Sequence, residues 1–349
     1  MLTTFALDSL QDLSCQTADT IIDVRAPAEF AVDHLPRAIN LPVLSDAERA
    51  RVGTIYAQDS PFAARKIGGA LVAQNAAAHL QNALASHDGA WQPLVYCWRG
   101  GQRSGAFATI LSQVGWRVQV LQGGYQSYRR HVVDMLYKAP LHHRFILIDG
   151  GTGTAKTALL HQLAAAGAQT LDLEGLAQHR GSLFGATRAA QPAQKLFETR
   201  LAQNLIALDP AQVTFLEAES SKIGERLLPP SLWAAMTSAT RIQITAAPAA
   251  RAAHLTGAYS DLTDDPAQLA CVIAQLRSYH PAALIDRWFA LIDQKDWHVL
   301  AAELIEMHYD PRYAKATARR AAPLHRFHLD ALDPAALAKT ASDIIDAVT

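Results

Sequence analysis

The chain has 349 residues, of which half are hydrophobic and 18% are charged, and its formal net charge is −1. One hydrophobic core stops growing at about 250–300 residues, so two domains are expected. This composition excludes a disordered chain, and the small net charge means that any nucleic-acid-binding surface must be local. The N-terminus lacks the basic segment of a secretory signal and no long apolar run follows, so we expect a cytoplasmic protein without membrane contact.

Short apolar runs alternate with helical patterns in the first part of the chain. Predicted strands begin near Thr20, Ala38, Pro93 and Val118, and a helical pattern begins at Leu71. This alternation predicts a parallel sheet with helices on both faces.

A second α/β pattern follows a connecting helix that ends near Pro140. Its predicted strands begin at Arg144, Gln169, Gln212 and Arg241, and the end of the chain is predicted to be helical. We therefore predict two α/β domains, residues 1–138 and 139–349, the second with a helical, basic C-terminal region.

Cys97 lies between a predicted strand and a predicted helix, in the segment YCWRGGQRSG. A helix N-terminus stabilises a thiolate, the glycines let the loop curl, and the arginines offer donors to an oxyanion. Ser104 is in position to cap the helix. A buried core cysteine, the alternative, explains neither the glycines nor the arginines; Cys15 and Cys271 have no such setting and fit that description. The predicted anion loop comprises the nucleophile Cys97 with Trp98, Arg99, Gly100, Gly101, Gln102, Arg103 and Ser104.

The segment GGTGTAKT follows the predicted strand at Arg144 and fits the phosphate-loop (P-loop) pattern G-x-x-x-x-G-K-[ST] except at Ala155. An alanine fits there if it keeps helical dihedral angles, although its methyl group crowds the phosphate. Lys156 would reach terminal phosphates, and Thr157 would meet Mg²⁺ if that ion is used. The pattern leaves open whether the ligand is a nucleotide. The predicted loop for a diphosphate comprises Gly150, Gly151, Thr152, Gly153, Thr154, Ala155, Lys156 and Thr157.

Further polar residues follow the predicted strands of the second domain, where ligands bind open α/β sheets. Either Glu217 or Glu219 ends an apolar strand at the point where an acid orients a metal or water. A solvated helix end at His179 and an exposed helix face at Arg251 and His254 are the alternatives. The candidates for this second polar site are Asp172, Glu174, His179, Arg180, Glu217, Glu219 and Arg251.

Cations near the C-terminus are interleaved with Tyr309 and Tyr313, a pattern that suits phosphate contacts and base stacking. Ordinary surface charge is the alternative. The same surface is expected to include basic residues near Tyr128. The candidates for nucleic-acid contact are Arg129, Arg130, Arg312, Lys315, Arg319 and Arg320.

The first domain resembles the rhodanese family. The matching segments are DVR, EF, HLP, AIN and LQGGYQSYR, which begin at positions 23, 29, 34, 38 and 121. Five residues separate Cys97 from Arg103. Simple sulfurtransferases of that family have one fewer, whereas the related dual-specificity phosphatases have this longer ring. The loop is therefore interpreted as sized for a phosphate-like group.

Nearly the whole chain resembles the bacterial tRNA 2-selenouridine synthases, in which a rhodanese domain is fused to a P-loop domain. The shared segments, in order, are YCWRGGQRS, LQGGYQSYR, GGTGTAKT, DLEGLAQHRGSLFG, QP, EAESSKIG and HYDPRY. The resemblance implies that selenium from selenophosphate replaces the sulfur of 2-thiouridine at the wobble position of tRNA. It also implies an S-geranylated intermediate made with geranyl diphosphate, no tightly bound cofactor or metal, and a selenophosphate-producing enzyme as a further partner.

Under this interpretation the P-loop holds the diphosphate, and the Cys97 loop holds selenophosphate. Cys97 acts in the selenium step, with a covalent selenium carrier as one form of that hypothesis. The residues alone leave other functions open. These are a rhodanese-type sulfurtransferase or Cys-x5-Arg phosphatase coupled to an NTP-binding domain, a kinase, and a non-catalytic RNA-binding module.

Overall fold

The structure, a computed structural model, describes residues 1–318 and 320–348. Contacts between Cα atoms divide the chain into two compact units. The first comprises Met1–Ala139 and Pro192–Ala207, and the second comprises Pro140–Gln191 and Leu208–Thr349. The structure thus differs from the predicted division at Pro192–Ala207, because the helix in that segment packs against helices of the first unit.

A parallel five-stranded sheet forms the centre of the first unit. Its strands have the spatial order β1-β5-β4-β2-β3, and every pair is parallel. The strand β1 was not predicted, because Leu2–Phe5 contains two threonines and is mostly exposed. The strands are β1 (Leu2–Phe5), β2 (Thr20–Asp23), β3 (Ala38–Asn40), β4 (Pro93–Tyr96) and β5 (Val118–Leu121).

Helices cover this sheet, and local sequence signals explain where several of them begin. Ser45 and Glu48 form a capping box at the start of α3. The helix predicted from Leu71 begins earlier, at Pro61, after the N-cap Ser60. The helices are α1 (Leu10–Ser14), α2 (Pro27–Val32), α3 (Asp46–Gln58), α4 (Pro61–Gln81), α5 (Gln102–Val114) and α6 (Gly124–Val133), which continues as a π-helical turn (Asp134–Lys138).

The second unit contains another parallel sheet, with the strand order β12-β11-β6-β8-β7. A separate antiparallel hairpin, β9 with β10, turns at Gly224, where φ is +55°. The strand β12 was not predicted from the sequence. Its apolar residues are Phe327 and Leu329, and the other three residues of the strand are basic. The strands are β6 (Arg144–Gly150), β7 (Gln169–Leu171), β8 (Val213–Glu217), β9 (Lys222–Ile223), β10 (Arg226–Leu227), β11 (Thr240–Ala246) and β12 (His325–Leu329).

The helices from α7 onward belong to the second unit, except α9, which belongs to the first. The helices are α7 (Lys156–Ala165), α8 (Leu173–Ala177), α9 (Gln194–Ala207), α10 (Pro230–Ser238), α11 (Pro248–Ala258), α12 (Ser260–Thr263), α13 (Pro266–Ala274), α14 (Ala282–Asp293), α15 (Trp297–Leu304), α16 (Asp310–Thr317) and α17 (Pro334–Val348). A 3₁₀ turn (Gln275–Ser278) follows α13, and a π-helical turn (Ile305–Tyr309) follows α15.

Two apolar clusters stabilise the second unit. One joins the sheet to α7 and α17, and the other lies among helices around the buried Trp288 and includes Phe184 from the segment between α8 and α9. The predicted fold class, two parallel-sheet α/β domains with a helical C-terminal region, is confirmed by this arrangement. Within the described ranges, no helix has both the length and the apolar character that are needed to cross a membrane.

Candidate active sites

Cys97 lies directly after β4 and before α5, as the sequence predicts, and its side chain is 4% exposed. The hydroxyl of Ser104, in the first turn of α5, donates a hydrogen bond to Cys97 Sγ at 3.1 Å. The predicted capping role of Ser104 is wrong, because α5 begins at Gln102 after the N-cap Gly101. Ser104 contacts Cys97 Sγ instead.

The environment of Cys97 favours its thiolate. Burial raises the pKa of the thiol, but the Ser104 hydroxyl and backbone N–H, the Arg103 charge and the Gly101 backbone lower it. The net result is a pKa below the ordinary value. The predicted causes, a helix N-terminus and a nearby cation, contribute to this shift, but the largest lowering effect is that of the Ser104 hydroxyl, which was not predicted.

A second loop, residues 122–126, follows β5, includes the first turn of α6 and donates hydrogen bonds to the Cys97 loop. The N–H of Tyr125 donates to the carbonyl of Cys97 at 2.8 Å, and the N–H of Gln126 donates to the carbonyl of Trp98 at 3.0 Å. Gly100 adopts φ +67°, and a Cβ on it would lie 2.6 Å from the carbonyl oxygen of Leu121. Close backbone packing therefore requires a glycine at position 100. Nothing lies within 4 Å of a Cβ built on Gly101, so that glycine is not required in the same way.

The two arginines of the predicted anion loop occupy different settings. Arg103 forms an ion pair with Glu29 at 2.8 Å, which lowers the pKa of Glu29 against the opposing effect of burial. Arg99 and Gln102 are exposed, and Trp98 is half-buried beside the ring of Tyr125. Arg99 is therefore the freer cation of this loop.

Charged residues beneath the loop were not among the predicted site residues. Arg25 is 1% exposed and pairs with Asp23 at 2.6 Å, and its guanidinium lies 4.1 Å from the ring centroid of Tyr125. Arg25 also donates to the carbonyl of Asp33 at 2.6 Å, and Tyr125 donates to the Asp33 carboxylate at 2.6 Å. These contacts position the second loop. The DVR segment was the only sequence signal for them.

The predicted P-loop connects β6 to α7. Lys156 Nζ donates to the carbonyl of Gly150 at 3.1 Å, and Thr154 Oγ1 donates to that of Gly151 at 2.8 Å. Gly153 adopts φ +83°, and its missing side chain leaves space for the backbone of Arg251. In this structure the side chains of Thr154 and Lys156 therefore bind carbonyl groups of the loop itself.

Ala155 differs from the expectation that it keeps helical dihedral angles. It adopts φ +59° and ψ +33°, a left-handed conformation, immediately before α7. A non-glycine residue pays about 1–2 kcal/mol for this conformation. The Ala155 methyl group is 6% exposed and joins the apolar cluster of the sheet, which offsets part of that strain.

Carboxylates surround the start of α7. Thr157 Oγ1 donates to Glu174 at 2.8 Å. Burial and the nearby Glu219 carboxylate raise the pKa of Glu174 to about 7, although Thr157 and Lys156 act in the opposite direction. The expectation that Thr157 meets Mg²⁺ stays a prediction, with Glu174 as the carboxylate closest to its hydroxyl.

The structure separates the two acids that the sequence could not distinguish. Glu217 is fully buried, its Oε1 has no hydrogen-bond partner in the described residues, and burial holds its pKa well above the usual range. Glu219 instead lines the cleft beside the P-loop. Of the pair, Glu219 is the acid that a ligand in this cleft would meet.

Arg251 supports the P-loop from α11. It is 7% exposed, donates to the carbonyl of Thr152 at 2.9 Å and forms a two-point ion pair with Asp310, the shorter contact being 2.6 Å. The alternative of an exposed helix face is therefore wrong for Arg251. Its side chain positions the loop and is not free to bind a ligand.

The remaining polar candidates divide between structural and cleft-lining positions. Asp172 caps α8 through the N–H of Gly175 and contacts His161. His179 is half-buried, and burial with the adjacent Arg180 lowers its pKa. Arg180 lines the cleft, pairs with Asp261 at 2.8 Å and stacks on Tyr259.

A cleft of about 470 Å³ lies in front of the P-loop, and an apolar cavity adjoins it. The two share five lining residues, which are Thr152, Ser182, Leu255, Tyr259 and Tyr309. Beyond these, the walls of the cavity are mostly apolar side chains, including Phe184, Leu269, Trp297, Leu300 and Leu304.

The predicted nucleic-acid contacts are not one uniform surface. Arg129 forms an ion pair with the buried Glu198 in the first unit, so its charge is already neutralised within the protein. Arg320 pairs with Asp149 at 3.4 Å, and Arg312 contacts His308 and stacks on Tyr279. Arg130 and Lys315 are exposed, and Arg319 lies outside the described residues.

Both units match known sequence families. The family described as tRNA 2-selenouridine synthase AAA domain matches residues 143–271, and the rhodanese-like domain family matches residues 6–131. The tRNA 2-selenouridine synthase of Nitrosomonas europaea is 38% identical over 224 residues, which are 62% of this chain and 57% of that protein. The predicted resemblance to tRNA 2-selenouridine synthases is confirmed.

Two other tRNA 2-selenouridine synthases give similar values. The protein of Psychromonas ingrahamii is 35% identical over 228 residues, 64% of this chain and 60% of that relative. The protein of Nitrosomonas eutropha is 37% identical over 246 residues, 68% of this chain and 62% of that relative. The chain therefore covers less than two thirds of the length of these relatives. The matched family ranges contain Cys97 and the P-loop, whereas the cations from Arg312 onward lie beyond them.

Proposed function

We propose that this chain is a tRNA 2-selenouridine synthase. It would convert wobble 2-thiouridine to an S-geranylated nucleoside with geranyl diphosphate, and then to 2-selenouridine with selenophosphate. The observation that supports the first step is the continuity between the P-loop cleft and the apolar cavity. A hydrocarbon tail would gain more from such a cavity than a nucleotide, whose base and ribose carry many polar groups.

The chemistry of the two parts matches a ligand with a diphosphate head and a hydrocarbon tail, and the apolar cavity, about 80 Å³ in volume, would take the first part of that tail. The loop amides and Lys156 would hold the head, and the cavity beside Leu255 and Tyr309 would remove the tail from water. The thiocarbonyl sulfur of the nucleoside would attack the first carbon of the tail. The bond from that carbon to the diphosphate oxygen would break, and the diphosphate would leave with its charge on the loop.

The selenium step is assigned to the Cys97 loop. The thiolate of Cys97, favoured by Ser104, lies beside the N-terminus of α5, where an anionic donor such as selenophosphate is stabilised. Arg99 offers an exposed guanidinium for the phosphate group of the donor.

Variants at the two loops test this division of labour. Purified Lys156→Ala should lose geranyl transfer to 2-thiouridine tRNA but still convert geranylated tRNA to the selenium form. Cys97→Ser should show the reverse pattern. Lys222→Ala and Cys271→Ser, which change an exposed lysine and an exposed cysteine, should retain both steps.

Mass analysis of the digested nucleosides measures each product. If Lys156→Ala transfers geranyl groups at the normal rate, the P-loop does not hold the diphosphate. A normal rate of selenium incorporation by Cys97→Ser would remove Cys97 from the second step.

A further inference from the structure

A cavity in the first unit adjoins the Cys97 loop and shares Gln102 and Arg103 with it. It lies between α3, α4 and the first turns of α5, and its volume is about 550 Å³. That volume is within the range of about 300–1,000 Å³ that is typical of small-molecule sites. The lining residues that carry its chemistry are Arg49, Tyr56, Arg65, Gly68, Gln102 and Arg103.

The walls of this cavity carry positive charge. Three arginines line it, and no acidic residue does. Glu29 neutralises Arg103 at 2.8 Å and approaches Arg49 at 4.0 Å. Arg65 is exposed and forms no ion pair within the described part of the chain. An anionic group is therefore the ligand that this charge distribution favours.

The cavity is also lined by an aromatic side chain and by several small residues. Tyr56 lines the cavity and is 59% exposed, so its ring is available to a ligand, whose binding would remove the ring from water. Much of the remaining surface consists of small residues, namely Gly53, Ala64, Gly68, Gly69 and Ala106. Small residues next to an exposed aromatic ring leave room for a planar group that stacks on the ring. Unpaired nucleobases bind proteins in this way.

The position of the cavity links it to the nucleophile. Gln102, Arg103 and Ala106 belong to the first turns of α5, and the same turn carries Ser104, which contacts Cys97 Sγ at 3.1 Å. A nucleotide held here would lie against the helix that activates Cys97.

We propose that this cavity binds one unpaired nucleotide of an RNA loop, with its phosphate at Arg49 and Arg65 and its base against Tyr56. The identification of that RNA as tRNA rests on the proposed function. The binding chemistry does not, because it follows from the arginines, the exposed ring and the small residues. None of these residues was among the predicted nucleic-acid contacts.

Titration of the full-length protein with a labelled RNA hairpin tests the proposal, with a fully paired duplex of the same sequence as the second ligand. Arg65→Ala and Tyr56→Ala should each weaken hairpin binding by about tenfold, since base stacking and phosphate contacts are lost. Duplex binding should not change. The matched controls are Lys66→Ala, which changes the exposed cation next to Arg65, and Phe62→Ala, which changes a 71% exposed aromatic residue of α4, because neither residue lines the cavity.

Hairpin affinities equal to those of the unsubstituted protein in both cavity variants would overturn the proposal. Equal weakening for hairpin and duplex, or equal weakening by the controls, would also overturn it. If Arg65→Ala keeps hairpin binding but raises the KM for selenophosphate, the cavity serves the donor and the proposal is wrong. The proposed function fails separately, when the unsubstituted protein binds the hairpin but modifies no tRNA.

Discussion

At Cys97, burial and hydrogen bonding act in opposite directions on the pKa of the thiol. Burial disfavours the thiolate, whereas Ser104 donates to the sulfur and Arg103 contributes positive charge. Because the net pKa is lowered, the thiolate fraction at neutral pH exceeds that of an ordinary cysteine. Reactivity should rise with pH and level off above the lowered pKa, since the thiolate is the nucleophile.

Replacing Ser104 by alanine should move this pH profile toward higher pH. The loss of one hydrogen bond to a charged group, about 1.5 kcal/mol or more, should raise the pKa of Cys97 by about one unit, so the alkylation rate at pH values below the pKa should be about tenfold lower. The rate is measured with iodoacetamide in a Cys15→Ser, Cys271→Ser background, so that only Cys97 reacts. Thr109→Ala removes another hydroxyl of α5 and should leave the profile unchanged. An unshifted profile in Ser104→Ala would show that the contact does not stabilise the thiolate.

Helix α7 begins at a strained residue, and this strain predicts an unusual response to glycine. Ala158, one turn into the helix, should lose about 1 kcal/mol of stability when replaced by glycine. At Ala155, the same substitution also relieves about 1–2 kcal/mol of left-handed strain. The free energy of unfolding should therefore fall less for Ala155→Gly than for Ala158→Gly.

Denaturant titration of the two variants gives this comparison. Equal losses of stability, or a larger loss at Ala155, would mean that the buried methyl group outweighs the strain. Ala155→Gly should also bind inorganic pyrophosphate at least as tightly as the unsubstituted protein, because position 155 lines the cleft and glycine adopts the left-handed conformation there without strain.

The sequence predicted those features that depend on neighbouring residues. The strand, loop and helix around Cys97 and around Lys156 follow from local patterns, and the structure has both. Contacts between distant positions could not be predicted. Glu29 pairs with Arg103, 74 residues away, and nothing near Arg103 indicates that partner. For the same reason β12 was missed, since its pairing with β11 depends on a segment that lies 83 residues earlier in the chain.

At the scale of the whole chain, α9 shows that the units do not follow chain order. The helix lies between segments of the second unit but belongs to the first. Its Glu198 is 1% exposed and accepts hydrogen bonds from Arg129, from Tyr137 at 2.6 Å and from Gln194 at 3.0 Å. Arg129 also lies 3.9 Å from the buried Asp33. This network ties a late segment of the sequence to the unit that carries Cys97.

Glu198→Ala should therefore destabilise the first unit. Removing one partner of a buried ion pair costs about 3–5 kcal/mol, because it leaves the other charge buried without compensation. For a unit of this size, the midpoint of its unfolding should fall by on the order of 10 °C. Calorimetry with and without pyrophosphate separates the two transitions, since a ligand of the P-loop raises only the transition of the second unit.

The exposed Lys195 on the same helix provides the control, and Lys195→Ala should shift neither transition. If Glu198→Ala instead lowers the pyrophosphate-sensitive transition, α9 stabilises the second unit and its assignment is wrong. A drop in the other transition alone would mean that the unit containing Cys97 needs a segment from beyond the P-loop. The first 139 residues expressed alone should then show the same loss of stability as the full-length Glu198→Ala protein, or a greater one.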